Sequence, residues 1–151
     1  MKKVLILGST GSIGQSTLEV IKANNKDFSI SGLVAKSNKK LLLEQANKFN
    51  VRKICLTNND SKNDTFVSES VIEDLIFSDQ VDIVVAAISG IAGLKTILSS
   101  IKAGKRVLIA NKEPLVAAGQ ILMKEAKKSN SEIIPIDSEH CAIHQCLKNI
   151  E

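Results

Sequence analysis

Three features of the sequence predict an α/β fold, a Rossmann-like, doubly wound and mainly parallel sheet with helices on both faces. Short β-branched runs alternate with longer amphipathic stretches. Most of those runs are apolar almost without a break, and a glycine-rich segment, GSTGSIG (8–14), directly follows the first of them. Continuous apolar runs fit strands buried on both faces, and strands alternating with helix-length segments specify βαβ units. At 151 residues and 44% hydrophobic content, the chain is one globular domain, or one with the start of another. A domain of this size buries roughly 70% of its unfolded surface.

The predicted strands are KVLIL (3–7), FSISGLV (28–34), RKICL (52–56), VDIVVAAI (81–88), RVLIA (106–110) and EIIPI (132–136). Helical patterns lie between them at 12–24, 38–49, 68–77, 91–103 and 114–128. The polar stretch TNNDSKNDTFV (57–67) reads as an exposed loop, and KKSNSE (127–132) as a boundary between units. In a doubly wound sheet, ligands sit beyond the carboxyl ends of the strands. Here those ends are Gly8, Ala35, Thr57, Ser89-Gly90, Asn111-Lys112-Glu113 and Asp137.

The first of these ends carries a phosphate-binding pattern. Gly8 permits a tight turn, Gly11 lets backbone approach a diphosphate, and Gly14 allows the helix to pack closely on the strand. The N–H groups of Thr10, Gly11, Ser12 and Ile13 open the helix, where partial positive charge favours phosphate. A packing turn without a ligand is the alternative. The second strand ends in AKSNKK (35–40), with three lysines and none of the acids that usually meet a free ribose 2′-hydroxyl. Lys36, Ser37 and Asn38 can hold a 2′-phosphate by charge and hydrogen-bond donors, which favours NADP over NAD. A solvated charge cluster opening a helix is the competing reading.

The fourth strand ends in ISGIAG (88–93), two glycines before a helix, consistent with backbone passing close to a nucleotide. The fifth ends in ANKEPLV (110–116). Pro114 suits a first helical turn and is expected to keep Glu113 out of helical conformation, making Asn111-Lys112-Glu113 a short exposed turn. Lys112 and Glu113 can also be read as ordinary surface charges. In DSEH (137–140), a turn after Asp137 is needed to bring Asp137 and Glu139 to one ion; hard oxygen ligands suit Mg²⁺ or Mn²⁺. Two carboxylates make a poor cage, so a third ligand is expected from elsewhere. The alternative is a helix N-terminus with acids in its first turn. Two further readings use the neighbours. His140, Cys141, His144 and Cys146 offer zinc donors, but without a paired C-x-x-C spacing. CLKN (146–149) resembles the Cys-x-x-Asn of semialdehyde and glyceraldehyde phosphate dehydrogenases, where a thiolate attacks the carbonyl.

Composition narrows the function classes. Net charge is +4, but the lysines are interleaved with acids, and aromatics are 3% with no Trp or Tyr. That leaves no stacking platform for nucleic acid. The lack of tyrosine also removes the Tyr-x-x-x-Lys chemistry of short-chain dehydrogenases. No run approaches the ~20 apolar residues of a membrane span. VLIL after Met1-Lys2-Lys3 is too short for a signal peptide. With 3 cysteines, an odd count, free thiols and a cytoplasmic location are the expectation.

Taken together, ILGSTGSIGQSTLEVI, AISGIAGL, ANKE and PIDSEHCAIHQCL are similar to the 1-deoxy-D-xylulose 5-phosphate reductoisomerase family, in the same order along the whole chain. The resemblance implies an NADPH- and divalent-metal-dependent rearrangement and reduction of 1-deoxy-D-xylulose 5-phosphate to 2-C-methyl-D-erythritol 4-phosphate, in non-mevalonate isoprenoid biosynthesis. It implies that Thr10, Gly11, Ser12 and Ile13 hold the diphosphate and that Asn38 lies near the 2′-phosphate. Asn111 and Glu113 would contact the cofactor, Lys112 and Ser138 the substrate, and Asp137 and Glu139 the metal, Glu139 also reaching substrate. The family often has Gly and a basic residue where Lys36-Ser37 stand, and Pro114, Cys141 and His144 replace commoner residues. Members also continue further, with a third acidic ligand, a substrate-phosphate site, a mobile lid and a helical domain, and dimerise through the catalytic domain. The expectation is therefore an NADPH-binding unit at 1–130 and the start of a catalytic domain at 131–151, binding NADPH without turnover. A stand-alone NADP-binding module and a dehydrogenase using Cys146 are the alternatives.

Overall fold

The structure, a computed structural model, describes residues 1–58 and 69–147. In chain order the elements are β1 (Lys2–Leu7), α1 (Ser12–Ala23), β2 (Phe28–Ala35), α2 (Lys39–Lys48), β3 (Ile54–Leu56), α3 (Glu69–Phe77) and β4 (Ile83–Ala86). A 3₁₀ turn (Gly90–Gly93) then leads into α4 (Leu94–Lys102), β5 (Arg106–Ile109), α5 (Glu113–Ser129), β6 (Ile133–Pro135) and α6 (Ser138–Leu147). The strands form one sheet in the order β3-β2-β1-β4-β5-β6, every neighbouring pair parallel. The order in which strands are added reverses between β1 and β4, so the ligand crevice of such a sheet opens at the carboxyl ends of these two strands.

The apolar runs alternate across the sheet and are buried on both faces. Val4 and Ile6 join Leu18 and Ile21 of α1 and Leu42 of α2. Leu5 and Leu7 face the other way, onto Ile72, Leu75 and Ile76 of α3. On that second face, Val107 and Ile109 of β5 pack with Ile97 and Ile101 of α4 and Leu122 of α5. In α1 the buried Gly14, Leu18 and Ile21 follow helical spacing. Each fully buried Leu or Ile stabilises by about 1.5–3 kcal/mol, so the β1 quartet anchors the sheet.

Four predicted strands contract, most of all 52–56 to Ile54–Leu56 and 81–88 to Ile83–Ala86, whereas those expected at 3–7 and 28–34 each gain a residue. The helix predicted from 91 starts with the 3₁₀ turn. One expectation is corrected. Glu113 is not held out of helical conformation; it is the first residue of α5, with Pro114 following it and Lys112 already in the αR region (φ −80°, ψ −28°). Pro114 lacks an N–H that no carbonyl in the first turn needs, so the helix accommodates it. Most of the loop predicted at 57–67 lies outside the described residues. At the 127–132 junction, α5 ends on Asn130 in the left-handed region (φ 53°), and the sheet continues, with Val107 opposite Ile133. No helix among the described residues is long and apolar enough to cross a membrane.

Candidate nucleotide and metal site

The turn after β1 is held by backbone. Gly8 has φ +91°, a conformation that side chains rarely adopt, and a Cβ there would lie 2.4 Å from the Ala87 carbonyl oxygen. A Cβ on Gly14 would meet the Gly8 carbonyl oxygen at 2.3 Å and Ser9 Cα at 2.6 Å. Gly11 differs: its nearest neighbour to an added Cβ is 3.4 Å away, so the fold itself does not require glycine there. The N–H groups of Gly8 and Ser9 both donate to the Val34 carbonyl, at 2.8 and 2.9 Å. The Gly11 N–H donates back to Gly8, at 3.1 Å, and so is used inside the turn. Ser12 and Ile13 lie in the first turn of α1, where backbone N–H groups have no carbonyl one turn back.

Two cavities meet at this turn. The larger, about 450 Å³, is lined by Thr10 and Gly11, Lys36 at the end of β2, and an apolar wall that includes Ile72 and Ile76. The smaller, about 240 Å³, brings together Gly11, Ser12, Ile13, Asn111, Lys112, Glu113 and Asp137. Gly11, Ala87 and Ser89 line both, so one cleft runs along the carboxyl rim from Lys36 to Asp137. Ser37 and Asn38 stand beyond the larger cavity at the start of α2, where Asn38 Oδ1 accepts the Leu41 N–H at 3.1 Å. That oxygen is the helix cap, which leaves the Asn38 amide nitrogen as the donor for a ligand.

At the far end, the Asn111 side-chain amide donates to the Ile88 carbonyl and ties the end of β5 to that of β4. Asp137 precedes α6, and its Oδ1 accepts the Ser138 N–H at 2.9 Å. Lys112 Nζ lies 3.4 Å from Glu139 Oε1, with both side chains more than half exposed (56% and 64%). The Glu139 carboxyl is held below its usual range, first by its own backbone N–H and then by Lys112. Ser138 is exposed beside them. Of the two sequence readings of DSEH, the helix N-terminus is present, with Glu139 in the first turn of α6; Glu139 pairs with Lys112, and Asp137 lines the smaller cavity with Lys112. Among the described residues no three His, Cys, Asp or Glu side chains come close enough to hold a metal. That gives the His140, Cys141, His144 and Cys146 zinc set no geometry. Asp137 and Glu139, as hard oxygen donors, fit a divalent ion that takes further ligands from elsewhere.

Thr57, expected on the rim as the end of the third strand, lines the larger cavity. Sequence reasoning missed the walls supplied by α3 and α4: Glu73, Lys95, Thr96 and Ser99 also line that cavity, and Lys95 Nζ lies 3.8 Å from Glu73 Oε1. Only the glycines of ISGIAG, just ahead of Lys95, signalled that α4 borders a ligand.

A parallel sheet in this strand order, with a glycine turn after β1 leading into a close-packed helix, defines the Rossmann class. A profile of 1-deoxy-D-xylulose 5-phosphate reductoisomerase matches residues 4–119, and the chain belongs to that family. The 1-deoxy-D-xylulose 5-phosphate reductoisomerase of Actinobacillus pleuropneumoniae serotype 5b (strain L20) is 42% identical over 160 residues, covering 97% of this chain and 40% of that protein. A crystal structure of the reductoisomerase in complex with NADPH, fosmidomycin and magnesium matches with a TM-score of 0.88 at 40% identity, over 97% of this chain and 39% of that one. The Zymomonas mobilis enzyme in complex with NADPH matches with a TM-score of 0.83 at 33% identity, over 92% and 39%. The chain therefore spans about two fifths of the length of these relatives. Family membership also removes the ground for a thiol dehydrogenase, whose Cys146 is an exposed residue of α6.

Proposed function

We propose that this chain is the NADPH-binding portion, and the leading edge of the metal and substrate site, of a 1-deoxy-D-xylulose 5-phosphate reductoisomerase. The observation that carries the reading is the continuous cleft, with a lysine and a helix N-terminus at one end and two carboxylates at the other. The first turn of α1 receives the diphosphate through backbone N–H groups, with Thr10, Gly11, Ser12 and Ile13 as its lining. Lys36, Ser37 and Asn38 receive the 2′-phosphate, and Asn111 and Glu113 the reducing end of the cofactor. Asp137 and Glu139 hold Mg²⁺ or Mn²⁺, and Lys112 and Ser138 orient the sugar phosphate. When bound, NADPH supplies hydride and the ion polarises the substrate carbonyl.

The domain division follows: residues 1–130 as the nucleotide unit and 131–151 as the beginning of the catalytic unit. The complete enzyme works in the cytoplasm as a homodimer in non-mevalonate isoprenoid synthesis; Cys55, Cys141 and Cys146 as thiols rather than disulfides suit a reducing compartment. With two metal carboxylates and, among the described residues, no third acid, histidine or cysteine grouped with them, the 151-residue chain is expected to bind NADPH without oxidising it. A chimera in which this chain replaces the matching segment of a relative tests the reading. The expected result is substrate-dependent NADPH oxidation that needs a divalent ion, is lost on Glu139→Gln and survives Cys146→Ser. Turnover that is metal-independent and lost on Cys146→Ser would overturn it.

A further inference from the structure

Gln45 is a polar residue in the apolar face of α2. It is only 5% exposed, beside Leu42 and Ala46. Its Nε2 donates to the carbonyl oxygen of Ser9 at 2.9 Å, and Ser9, the second residue of GSTGSIG, is 0% exposed. The contact is costly as packing. Gln45 Oε1 and Ser9 Oγ are both buried without a hydrogen-bond partner, and such groups lose hydration that nothing replaces. A leucine would remove the unpartnered Oε1 but leave the buried Ser9 carbonyl without its donor, so the glutamine serves that carbonyl in particular.

The bond acts on a particular peptide. The Ser9 carbonyl and the Thr10 N–H belong to one trans, planar unit, so they point in opposite directions. Gln45, by holding the carbonyl toward α2, turns the Thr10 N–H the other way, and Thr10 lines the cleft. Backbone bonds to Val34 hold the start of the turn; Gln45 holds the Ser9 carbonyl, and the exposed Gln15 Nε2 donates to the next one, Thr10, at 3.1 Å. The same helix begins at the Asn38 cap, next to Lys36 and Ser37.

We infer that Gln45 is a positioning residue for the cofactor: through the Ser9–Thr10 peptide it sets the donor geometry of the diphosphate turn, linking it to the helix that starts at the 2′-phosphate end. The inference rests on the proposed function above. It is tested by calorimetric titration of NADPH and NADH into the 151-residue chain and its Gln45 variants, each well below its thermal midpoint. Gln45→Leu removes the donor; both cofactors are expected to bind about tenfold more weakly, by the same factor because they share the diphosphate, with the midpoint lowered by the orphaned Ser9 carbonyl. Gln45→Glu can donate to Ser9 only when protonated, so its NADPH affinity is expected to rise toward wild type as pH falls, relative to wild type at the same pH. A merely structural residue would not produce that pH signature. Variants that bind as tightly as wild type, whether or not their midpoints fall, would overturn the inference. A wild-type chain that binds no NADPH would overturn the underlying nucleotide reading instead. Should the leucine variant fail to fold, the pH series on Gln45→Glu decides alone.

Discussion

The two ends of the cleft are built from different material. At the β1 end the working parts are backbone, set in a turn whose Gly8 and Gly14 have no room for a Cβ and resting on a strand whose last four residues are buried. At the β6 end they are side chains. No residue of β6 or α6 is fully buried, and Lys112 and Glu139 meet across exposed surface. A binding site made of backbone is specified once the fold is specified. One made of exposed side chains becomes rigid only when a ligand or further protein covers it.

The sharpest way to break this comparison is to substitute its glycines. Gly14→Ala drives a Cβ into the Gly8–Ser9 backbone and is expected to destabilise the chain by about 3 kcal/mol or more, read by urea denaturation. Gly11→Ala has room for the new atom, so its expected cost to the fold is below about 1 kcal/mol, while NADPH affinity falls about tenfold because the methyl stands where phosphate approaches. Equal losses of stability in both variants would mean the turn carries no ligand-specific demand.

At the other end the expected effects fall on ligand binding alone. Glu139→Gln should change unfolding free energy by no more than about 0.5 kcal/mol, yet raise about tenfold the Mn²⁺ concentration that broadens the amide signals of residues 137–140. Unchanged broadening would remove Glu139 from the metal site.

The smallest effect is a titration. The Glu139 carboxyl is depressed by its own N–H and by Lys112, so folding favours its charged form. Any stabilisation is complete above the ordinary glutamate value and is lost as pH falls through the depressed one. With the side chain this exposed, the effect is read by NMR titration of Glu139 rather than by denaturation. Lys112→Ala should move the Glu139 midpoint back up only part of the way, because the backbone contact remains.

The same contrast governs what could be read in advance. Uninterrupted apolar runs such as VLIL and IVVA identified the parallel strands, and GSTGSIG located the turn, because buried strands and close-packed turns leave strong constraints on residue type. Element ends were less legible: Pro114 was expected to exclude Glu113 from α5, whereas the second position of a helix needs no N–H. Gln45 left a signal only in being polar among Leu42 and Ala46, and its partner is 36 residues away. Glu73 and Lys95 reach the cleft from separate helices, a proximity that exists only once α3 and α4 are packed.

The most direct test of the account is calorimetric titration of the 151-residue chain with NADPH and, separately, with NADH. The account predicts that NADPH binds well above NADH, because the β1 end is complete in itself and Lys36 receives the additional phosphate. Equal affinities would contradict the role given to Lys36, Ser37 and Asn38, and no binding of either would contradict the claim that this end of the cleft is complete in itself.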